Sequence, residues 1–239
     1  MNVPVTFVER ARKGIGHRST AAGEAGARRM MAHRLEASAD YPAMEQMRDQ
    51  ARQIRLHALG HLDELLGRFS DEVEAAGGHV HFAAAADEAN AYIRKVARER
   101  NVRRIVKSKS MVTEEIHLNA ALEDDDLEVV ETDLGEFIIQ LYGDTQSHII
   151  APVMHKTSQD VGELFSEKLG IEYTDDPTEL NQVARRHLRE IFLSADMGIS
   201  GCNVAIAESG SIVLVTNEGN GRLTTSAPRL HVAVMGMER

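Results

Sequence analysis

The chain has 239 residues, of which 43% are hydrophobic and 27% are charged, and it carries a formal net charge of −10 at pH 7. This composition indicates a globular protein with a sizeable core and excludes a chain that is disordered throughout. Neutralisation of phosphates supplies most of the affinity for nucleic acids, so the acidic balance disfavours nucleic-acid binding. No apolar stretch is long enough for a membrane span, and no signal-peptide pattern is present, so we expect a cytoplasmic protein.

The N-terminal part of the sequence differs from the rest in charge and in pattern. Residues 1–57 carry ten Lys and Arg against six Asp and Glu, so the acidic excess lies in the rest of the chain. Residues 1–43 show little periodicity, which predicts an extended or loosely helical arm. From residue 44 apolar residues recur at helical spacing, which predicts one long helix over residues 44–76 that ends at Gly77 and Gly78. The sequence therefore predicts an N-terminal arm, 1–43, and a main domain, 44–239.

After Gly78, short apolar runs alternate with helical stretches. The helical patterns are each preceded by a predicted strand, at residues 79–83, 104–107, 127–131 and 148–151. Asp133 and Asp176 stand at predicted helix starts, the second followed by Pro177 at the first helical position. That second helix is expected to stop at Gly198. The alternation predicts an α/β fold with a mostly parallel sheet flanked by helices.

The C-terminal part of the sequence shows a different pattern. Residues 204–207 and 211–216 predict the two strands of a β-hairpin whose short loop contains Gly210. A glycine-rich loop, 217–222, follows, and residues 230–235 predict a further core strand. Because the sequence stops four residues after that strand, we expect the domain to be truncated at its C-terminus.

The first candidate site is the end of a predicted strand. In open α/β sheets, ligands bind at the carboxyl ends of the strands, where loops and helix N-termini converge. One such end is formed by Lys107, Ser108, Lys109 and Ser110. Two ammonium groups and two hydroxyl groups in front of a helix favour binding of a carboxylate or a phosphate. In the alternative, Ser110 only caps the helix, and Glu114 and Glu115 favour its positive end.

The second candidate follows the predicted strand at 148–151. Pro152 interrupts the apolar run, and His155 and Lys156 come shortly after it. An imidazole that titrates near neutral pH can act as an acid, as a base or as a ligand. The alternative is a hydrogen-bonded surface histidine, which is the more common role of a single histidine in a loop.

The third candidate is a glycine-rich loop. It consists of Asn217, Glu218, Gly219, Asn220, Gly221 and Arg222. Glycines at positive φ bring backbone N–H groups close to a ligand, and an arginine can bind a carboxylate through two hydrogen bonds. Neither a Walker nor a dinucleotide-binding glycine pattern is present, so a tight turn between strands is the alternative.

The sequence predicts no metal site within these residues. His57 and His61 lie one helical turn apart, and His79 and His81 would share one face of a strand, but neither pair has a third ligand close by in sequence. Cys202 is the only cysteine, so the chain can form neither an internal disulfide nor a cluster bound by several thiolates.

Five segments together resemble a known family. They are VKSKSMVTEEI (106–116), VETDLGEFIIQL (130–141), SHIIAPVMHK (147–156), ADMGISG (195–201) and AIAESGSIVLVTNEGNGR (205–222). In this order they resemble the lactate-utilization (LUD) domain, as it occurs in an iron–sulfur protein of lactate oxidation. The resemblance covers the sequence from about residue 44 to its end.

The resemblance implies a fold similar to ribose-5-phosphate isomerase, glucosamine-6-phosphate deaminase and the CoA transferases. It also implies membership of a cytoplasmic complex that oxidises L-lactate to pyruvate, in which this component carries electrons through two 4Fe-4S clusters. The cluster cysteines of the family follow the LUD domain, and this sequence ends before them. We therefore expect no cofactor and no turnover from the isolated chain, and we expect the other subunits of the complex as its partners.

Two other functions remain open at this point. A protein of the implied fold could bind a small anion, a sugar phosphate or a CoA ester, and CoA-transferase chemistry would need a carboxylate nucleophile, for which Glu208 and Glu218 are the nearest candidates. The chain could also be a purely structural adaptor. Sheet edges left exposed would favour a homo-oligomer.

Overall fold

The computed structural model describes residues 8–9, 12, 18–144, 146, 151–216 and 218–237. The chain divides into two compact units, the first made of residues 1–49 and 138–183 and the second of residues 50–137 and 184–239. The described helices are α1 (Arg18–Ala39), α2 (Met44–Gly60), α3 (Leu62–Ala75), α4 (Ala86–Glu99), α5 (Met111–Glu115), α6 (Leu118–Glu123), α7 (Leu134–Tyr142), α8 (Ser158–Leu169), α9 (Pro177–Ser194) and α10 (Asn220–Ser226). The strands are β1 (Arg104–Lys107), β2 (Glu128–Glu131), β3 (Met197–Ser200), β4 (Val204–Ile206), β5 (Ser211–Val213) and β6 (Leu230–Ala233).

The described part of the first unit is helical. Helix α8 begins with a capping box, in which Thr157 and Asp160 each bind the other's backbone N–H. Gly162, on this helix, faces the carbonyl oxygen of Thr174, and a Cβ at this position would lie 2.1 Å from that oxygen. Only glycine permits so close an approach of helix and loop.

The second unit contains a four-stranded parallel sheet in the order β2-β1-β3-β6. Strand β1 lies in the interior of this sheet, and three of its four residues are buried. Parallel strands covered by helices on both faces consist of continuous apolar runs, as the sequence of β1 and β2 does.

One face of the sheet packs on helices α4 and α6. The buried residues of this core are Ile93, Ala97, Val102, Ile105, Leu118, Leu122, Val129, Met197 and Ile199. Burial of a Val, Leu, Ile or Met side chain contributes about 1.5–3 kcal/mol, and all residues of this cluster except Ala97 are of these types, so the cluster contributes substantially to the stability of the unit.

The short helix α10 packs closely against β3. A Cβ on Gly198 would lie 1.8 Å from the carbonyl oxygen of Thr224, so the absence of a side chain at Gly198 permits this contact. Before α10, strands β4 and β5 form an antiparallel hairpin with Ala205 opposite Ile212. The order β3, hairpin, α10, β6 places the glycine-rich loop next to the sheet.

The predicted fold class is confirmed: the protein is α/β, its main sheet is parallel and flanked by helices, and its N-terminal region is helical. Strands β1, β2 and β6 and the hairpin lie where they were predicted, within two or three residues at their ends. Both predicted helix starts are also found: Asp133 Oδ1 accepts hydrogen bonds from the backbone N–H groups of Gly135 and Glu136, and helix α9 begins at Pro177.

Three predicted elements differ. Residues 79–83 form no strand, because none of them pairs with a described strand. The single helix predicted over 44–76 is divided at His61 into α2 and α3. The helix that was expected to continue to Gly198 ends at Ser194, and strand β3, which was not predicted, follows it. Strand β3 has only four residues, all buried and one of them a glycine, which are too few to show strand periodicity. Of the strand predicted at 148–151, only Ala151 lies within the described residues, and it is not in a strand.

None of the helices that the structure describes is long and apolar enough to cross a membrane.

Candidate functional site

Strands β1 and β3 are neighbours in the sheet, and between them the direction in which the chain adds strands is reversed. From β1 the chain moves outward to β2 on one side, whereas from β3 it moves outward to β6 on the other. In open α/β sheets, such a switch point leaves a crevice in which ligands bind. The segment from Lys107 to Ser110 leaves the sheet here, and the backbone N–H of Ser108 donates to the Ile199 carbonyl at 2.9 Å.

Lys107 lies at the centre of this edge and is completely buried. Its Nζ donates to Glu114 Oε1 at 2.7 Å and to Thr113 Oγ1 at 3.0 Å, and it lies 2.8 Å from Glu131 Oε1. An ammonium group has three hydrogens, so all three are used within the protein. Lys107 therefore lies beneath the site as a fixed internal charge, where it holds two carboxylates in place.

The surroundings of Lys107 favour its charged form. Burial opposes ionisation of the amine, but the negative charges of Glu131 and Glu114 outweigh burial and raise the pKa of Lys107. Glu131, which ends β2, also accepts a hydrogen bond from Asn119 Nδ2 at 2.7 Å. Burial raises the pKa of Glu131, whereas the charge of Lys107 and the hydrogen bonds from Lys107 and Asn119 oppose this shift, so the charged form of Glu131 depends on these two donors.

A second pair, Lys109 and Glu136, lies at the same edge. Lys109 Nζ is 3.4 Å from Glu136 Oε1, and the Glu136 side chain is only 5% exposed. Burial raises the pKa of Glu136 to about 7, with a further contribution from the charge of Glu131 and an opposing one from Lys109. Glu136 therefore changes its protonation state near neutral pH.

We call Lys107, Lys109, Glu114, Glu131 and Glu136 the strand-end cluster. It holds three carboxyl groups against two ammonium groups, and the charges of Glu114, Glu131 and both lysines all act on Glu136. One carboxyl group is therefore in excess, and it takes up a proton as the pH falls through about 7. Groups of this kind can donate or accept protons at physiological pH.

Two hydroxyl groups of the first candidate are buried at this edge. Ser110 caps helix α5 by accepting from the backbone N–H of Thr113, as the alternative interpretation had it. A Cβ on Gly201 would lie 2.8 Å from Ser110 Oγ, so the loop after β3 packs directly on Ser110. Ser108 is buried as well. Of the four residues predicted at this strand end, Lys109 is the most exposed, at 23% of its side chain.

The glycine-rich loop lies at the same edge of the sheet. Asn220 Nδ2 is 3.5 Å from Thr132 Oγ1, and Thr132 in turn donates to the Lys107 carbonyl at 2.9 Å. Glu218 accepts from the backbone N–H of Leu134 at 3.2 Å, and burial, followed by the charge of Asp133, raises its pKa. The structure therefore brings together the first and third candidate sites, which are more than a hundred residues apart in sequence.

Within the loop, glycine has specific roles at two positions. Gly219 adopts φ +75° and donates its N–H to Thr216 Oγ1 at 3.2 Å. Gly221 is buried and packs against the side chain of Thr216. Arg222, directly after it, is exposed. Asn217 lies outside the described residues.

The second candidate lies in the first unit. His155 Nε2 and Lys156 Nζ both face Asp144 Oδ2, at 3.5 and 2.9 Å. Lys156 also lies over the ring of Tyr142, with Nζ 4.3 Å from the ring centroid. His155 and Lys156 therefore share one carboxylate partner. Glu208 lies exposed in the turn of the hairpin, within the second unit.

Several residues of the site were missed or interpreted differently at the sequence level. Glu131 was placed correctly at the end of a strand, but nothing in the sequence indicated that it pairs with Lys107. Glu114 had been interpreted as a residue that favours a helix start, and Glu136 lies three residues after the predicted helix start at Asp133. Burial in three dimensions distinguishes these carboxylates, and a sequence pattern signals burial for apolar residues but not for paired charges.

The described residues contain no group of three or more His, Cys, Asp or Glu side chains that could hold a metal ion. His61 Nδ1 lies 2.9 Å from the His57 carbonyl, and the His81 ring stacks on Tyr92. Cys202 is buried and is the only thiol in the sequence, whereas a 4Fe-4S cluster is normally bound by four. These residues therefore do not fit an iron–sulfur cluster.

Comparison with known proteins agrees with the resemblance seen in the sequence. Lactate utilization protein B of Bacillus subtilis (strain 168) is 48% identical over 235 residues, which are 98% of this chain and 49% of that protein. The protein of the same name from Shouchella clausii (strain KSM-K16) is 54% identical over 196 residues, 82% of this chain and 41% of that protein. The chain thus spans about half the length of the curated relatives it matches.

No solved structure matches the chain significantly. The family model of the LUD domain matches residues 66–239, which include the complete sheet, the strand-end cluster and the glycine-rich loop. The chain therefore belongs to the LUD domain family.

Proposed function

We propose that this chain is the LUD-domain part of a protein that takes part in the oxidation of L-lactate to pyruvate. The supporting observation is the identity of 48–54% to lactate utilization protein B of several bacteria, over 82–98% of the chain. Identity of this extent across the whole sheet and its polar edge favours a shared role. In this proposal the protein acts in the cytoplasm together with other subunits of a lactate-utilization complex.

In the same proposal, electrons pass through 4Fe-4S clusters held by a part of the protein outside these 239 residues. The single cysteine of the chain supports this division, because four thiolates are needed for each cluster. The role of the LUD domain is then to bind a small ligand or a partner subunit. Val204, Ile206 and Val213 are exposed on one face of the hairpin, and an exposed apolar patch of this kind often marks a partner contact.

A chimaeric protein tests the proposal directly. The matching region of lactate utilization protein B in Bacillus subtilis would be replaced by this chain, with the remainder of the host protein retained, in a strain that lacks the native protein. We expect growth on L-lactate as the sole carbon source. Growth on pyruvate is the matched control, because it does not require the oxidation of lactate.

The proposal fails if the chimaera accumulates to the level of the native protein, and the strain grows on pyruvate but not on L-lactate. Re-supplying the unaltered host protein in the same strain must restore growth on both, which verifies the background. Growth of a strain that carries the host remainder without any LUD domain would also contradict the proposal, because the domain would then be dispensable for lactate use.

A further inference from the structure

A groove of about 600 Å³ runs between the hairpin, helix α10 and strand β6. Its apolar wall is made by Ile212, Leu214 and Val215, and its polar wall includes Arg222 and His231. We call it the hairpin groove. Binding sites for small molecules are typically concave and mostly apolar, with a few polar groups that fix the orientation of the ligand.

Among the described residues that line the hairpin groove, Arg222 is the only Lys, Arg, Asp or Glu. The chain as a whole carries a net charge of −10, so a single guanidinium beside an apolar wall is a local positive site on an acidic protein. Gly219 donates its N–H to Thr216 Oγ1 and Gly221 packs against Thr216, and these contacts fix the backbone from which Arg222 projects. Arginine binds carboxylates through two parallel hydrogen bonds.

His231 is held in one orientation by a buried partner. Its Nε2 lies 2.8 Å from the Oγ of Ser200, a residue with no exposed surface. Ser200 Oγ donates its one hydrogen to the Gly201 carbonyl at 3.0 Å. With the Ser200 hydrogen directed to Gly201, the Nε2–H tautomer of His231 is the one that donates to Ser200 Oγ, and it leaves Nδ1 as an acceptor. Burial lowers the pKa of His231, which favours the neutral ring at physiological pH.

We propose that the hairpin groove binds a small 2-hydroxy carboxylate. Arg222 binds the carboxylate, Nδ1 of His231 accepts the hydrogen of the hydroxyl group on the adjacent carbon, and Ile212 and Leu214 contact the alkyl substituent. The arrangement selects a hydroxyl over a keto group, because a keto oxygen has no hydrogen to donate to Nδ1. The choice of a short alkyl chain, as in L-lactate, rests on the function proposed above.

Protein-observed NMR titration of the full 239-residue chain tests this assignment. L-lactate, pyruvate and propionate are added separately, and the shifts of the backbone amides give a dissociation constant for each. We expect L-lactate to shift amides of residues 211–226 and 230–233, with an affinity at least fivefold higher than that of propionate or pyruvate, because a single well-placed hydrogen bond contributes about that factor. Equal affinities for the three acids, or shifts confined to other regions, would overturn the assignment.

Two substitutions separate the roles of the polar groups. Arg222→Gln should weaken L-lactate binding at least tenfold, whereas Arg189→Gln, an equal change of charge at an exposed residue outside the groove, should have no effect. His231→Phe should reduce the affinity for L-lactate to that for propionate and leave propionate binding unchanged. A loss of binding to all three acids in a folded His231→Phe variant, or similar effects of the two arginine variants, would contradict the proposal.

Failure of this site assignment can be distinguished from failure of the proposed function. If the chimaera grows on L-lactate but the chain binds none of the acids, the site assignment is wrong and the function stands. If the chain binds L-lactate as described but the chimaera does not support growth, the site stands and the proposed cellular role is wrong.

Discussion

The two ends of the four-stranded sheet both carry ion pairs, but the pairs differ in burial. At the amino ends of the strands, Arg104 lies 2.7 Å from Glu128, and their side chains are 34% and 51% exposed. At the carboxyl ends, Lys107 lies 2.8 Å from Glu131, and their side chains are 0% and 4% exposed. The distances are almost equal, so burial is what distinguishes the two ends.

The free energy that an ion pair contributes to stability is composed differently at the two ends. An exposed pair such as Arg104–Glu128 stays hydrated and contributes at most about 1 kcal/mol. A buried pair costs several kcal/mol per ion in lost hydration, and its attraction often does no more than offset that cost. The carboxyl-end cluster is therefore not explained by a need for stability. Its position at the switch point of the sheet favours a functional role.

The largest effect is expected for loss of the buried charge. Lys107→Ala should lower the free energy of unfolding by about 3–5 kcal/mol, because it leaves the carboxylate of Glu131 buried without its ammonium partner. Urea denaturation followed by circular dichroism measures this change.

The matched control removes both charges together. The double variant Lys107→Met/Glu131→Gln should cost much less than Lys107→Ala, since neither remaining side chain is charged. If Lys107→Ala costs less than about 1 kcal/mol, the pair behaves like a surface pair and the contrast between the two ends disappears.

An intermediate effect is expected from Glu136, and it depends on pH. The pKa of its carboxyl group rises from an ordinary value of 4.5 to about 7 in the folded protein. Between these values this group binds more protons in the folded state than in the unfolded state, so its contribution to stability should fall as the pH rises from about 4.5 to about 7. Glu136→Gln removes this dependence.

Relative to the wild type, the Glu136→Gln variant should therefore gain about 2–3 kcal/mol in free energy of unfolding between pH 4 and pH 8. Glu128→Gln, at the amino end of the same sheet, is the matched control, and it should show no such gain. Parallel stability curves for Glu136→Gln and the wild type across this range would show that the carboxyl group is not desolvated.

The same contrast explains how much could be predicted from the sequence. Strands β1, β2 and β6 were visible because continuous apolar runs such as Ile105–Val106 and Val129–Val130 are a local signal. Strand β3 was not, because it is short, contains Gly198 and directly follows the long helix α9. Its place in the sheet depends on packing of α10 on Gly198, which is a contact between distant segments.

The location of the candidate site could be predicted from the sequence, but the residues that pair with one another there could be predicted only in part. Lys107 to Ser110 and the glycine-rich loop were proposed because they follow strands, and the structure brings both to one edge. The partners of Lys107 come from α5 and from β2, and Ser200 fixes His231 from a strand that was not predicted. Such pairings arise from topology, and the sequence of a single chain does not state which strand ends become neighbours.

The smallest effect is expected at the amino ends, where Asp196 joins two strands. Its Oδ2 accepts from the backbone N–H of Arg103 at 2.9 Å and of Arg104 at 3.3 Å, and these hydrogen bonds lower the pKa of its carboxyl group. Stability from this group should be complete above the ordinary pKa of 3.8 and lost as the pH falls below it. Asp196→Ala should cost about 1 kcal/mol at pH 7, because water replaces the carboxylate at these exposed amides. A cost for Asp196→Ala at pH 7 that equals or exceeds that of Lys107→Ala would contradict the comparison, since removal of an exposed carboxylate would then cost as much as leaving a buried one without its partner.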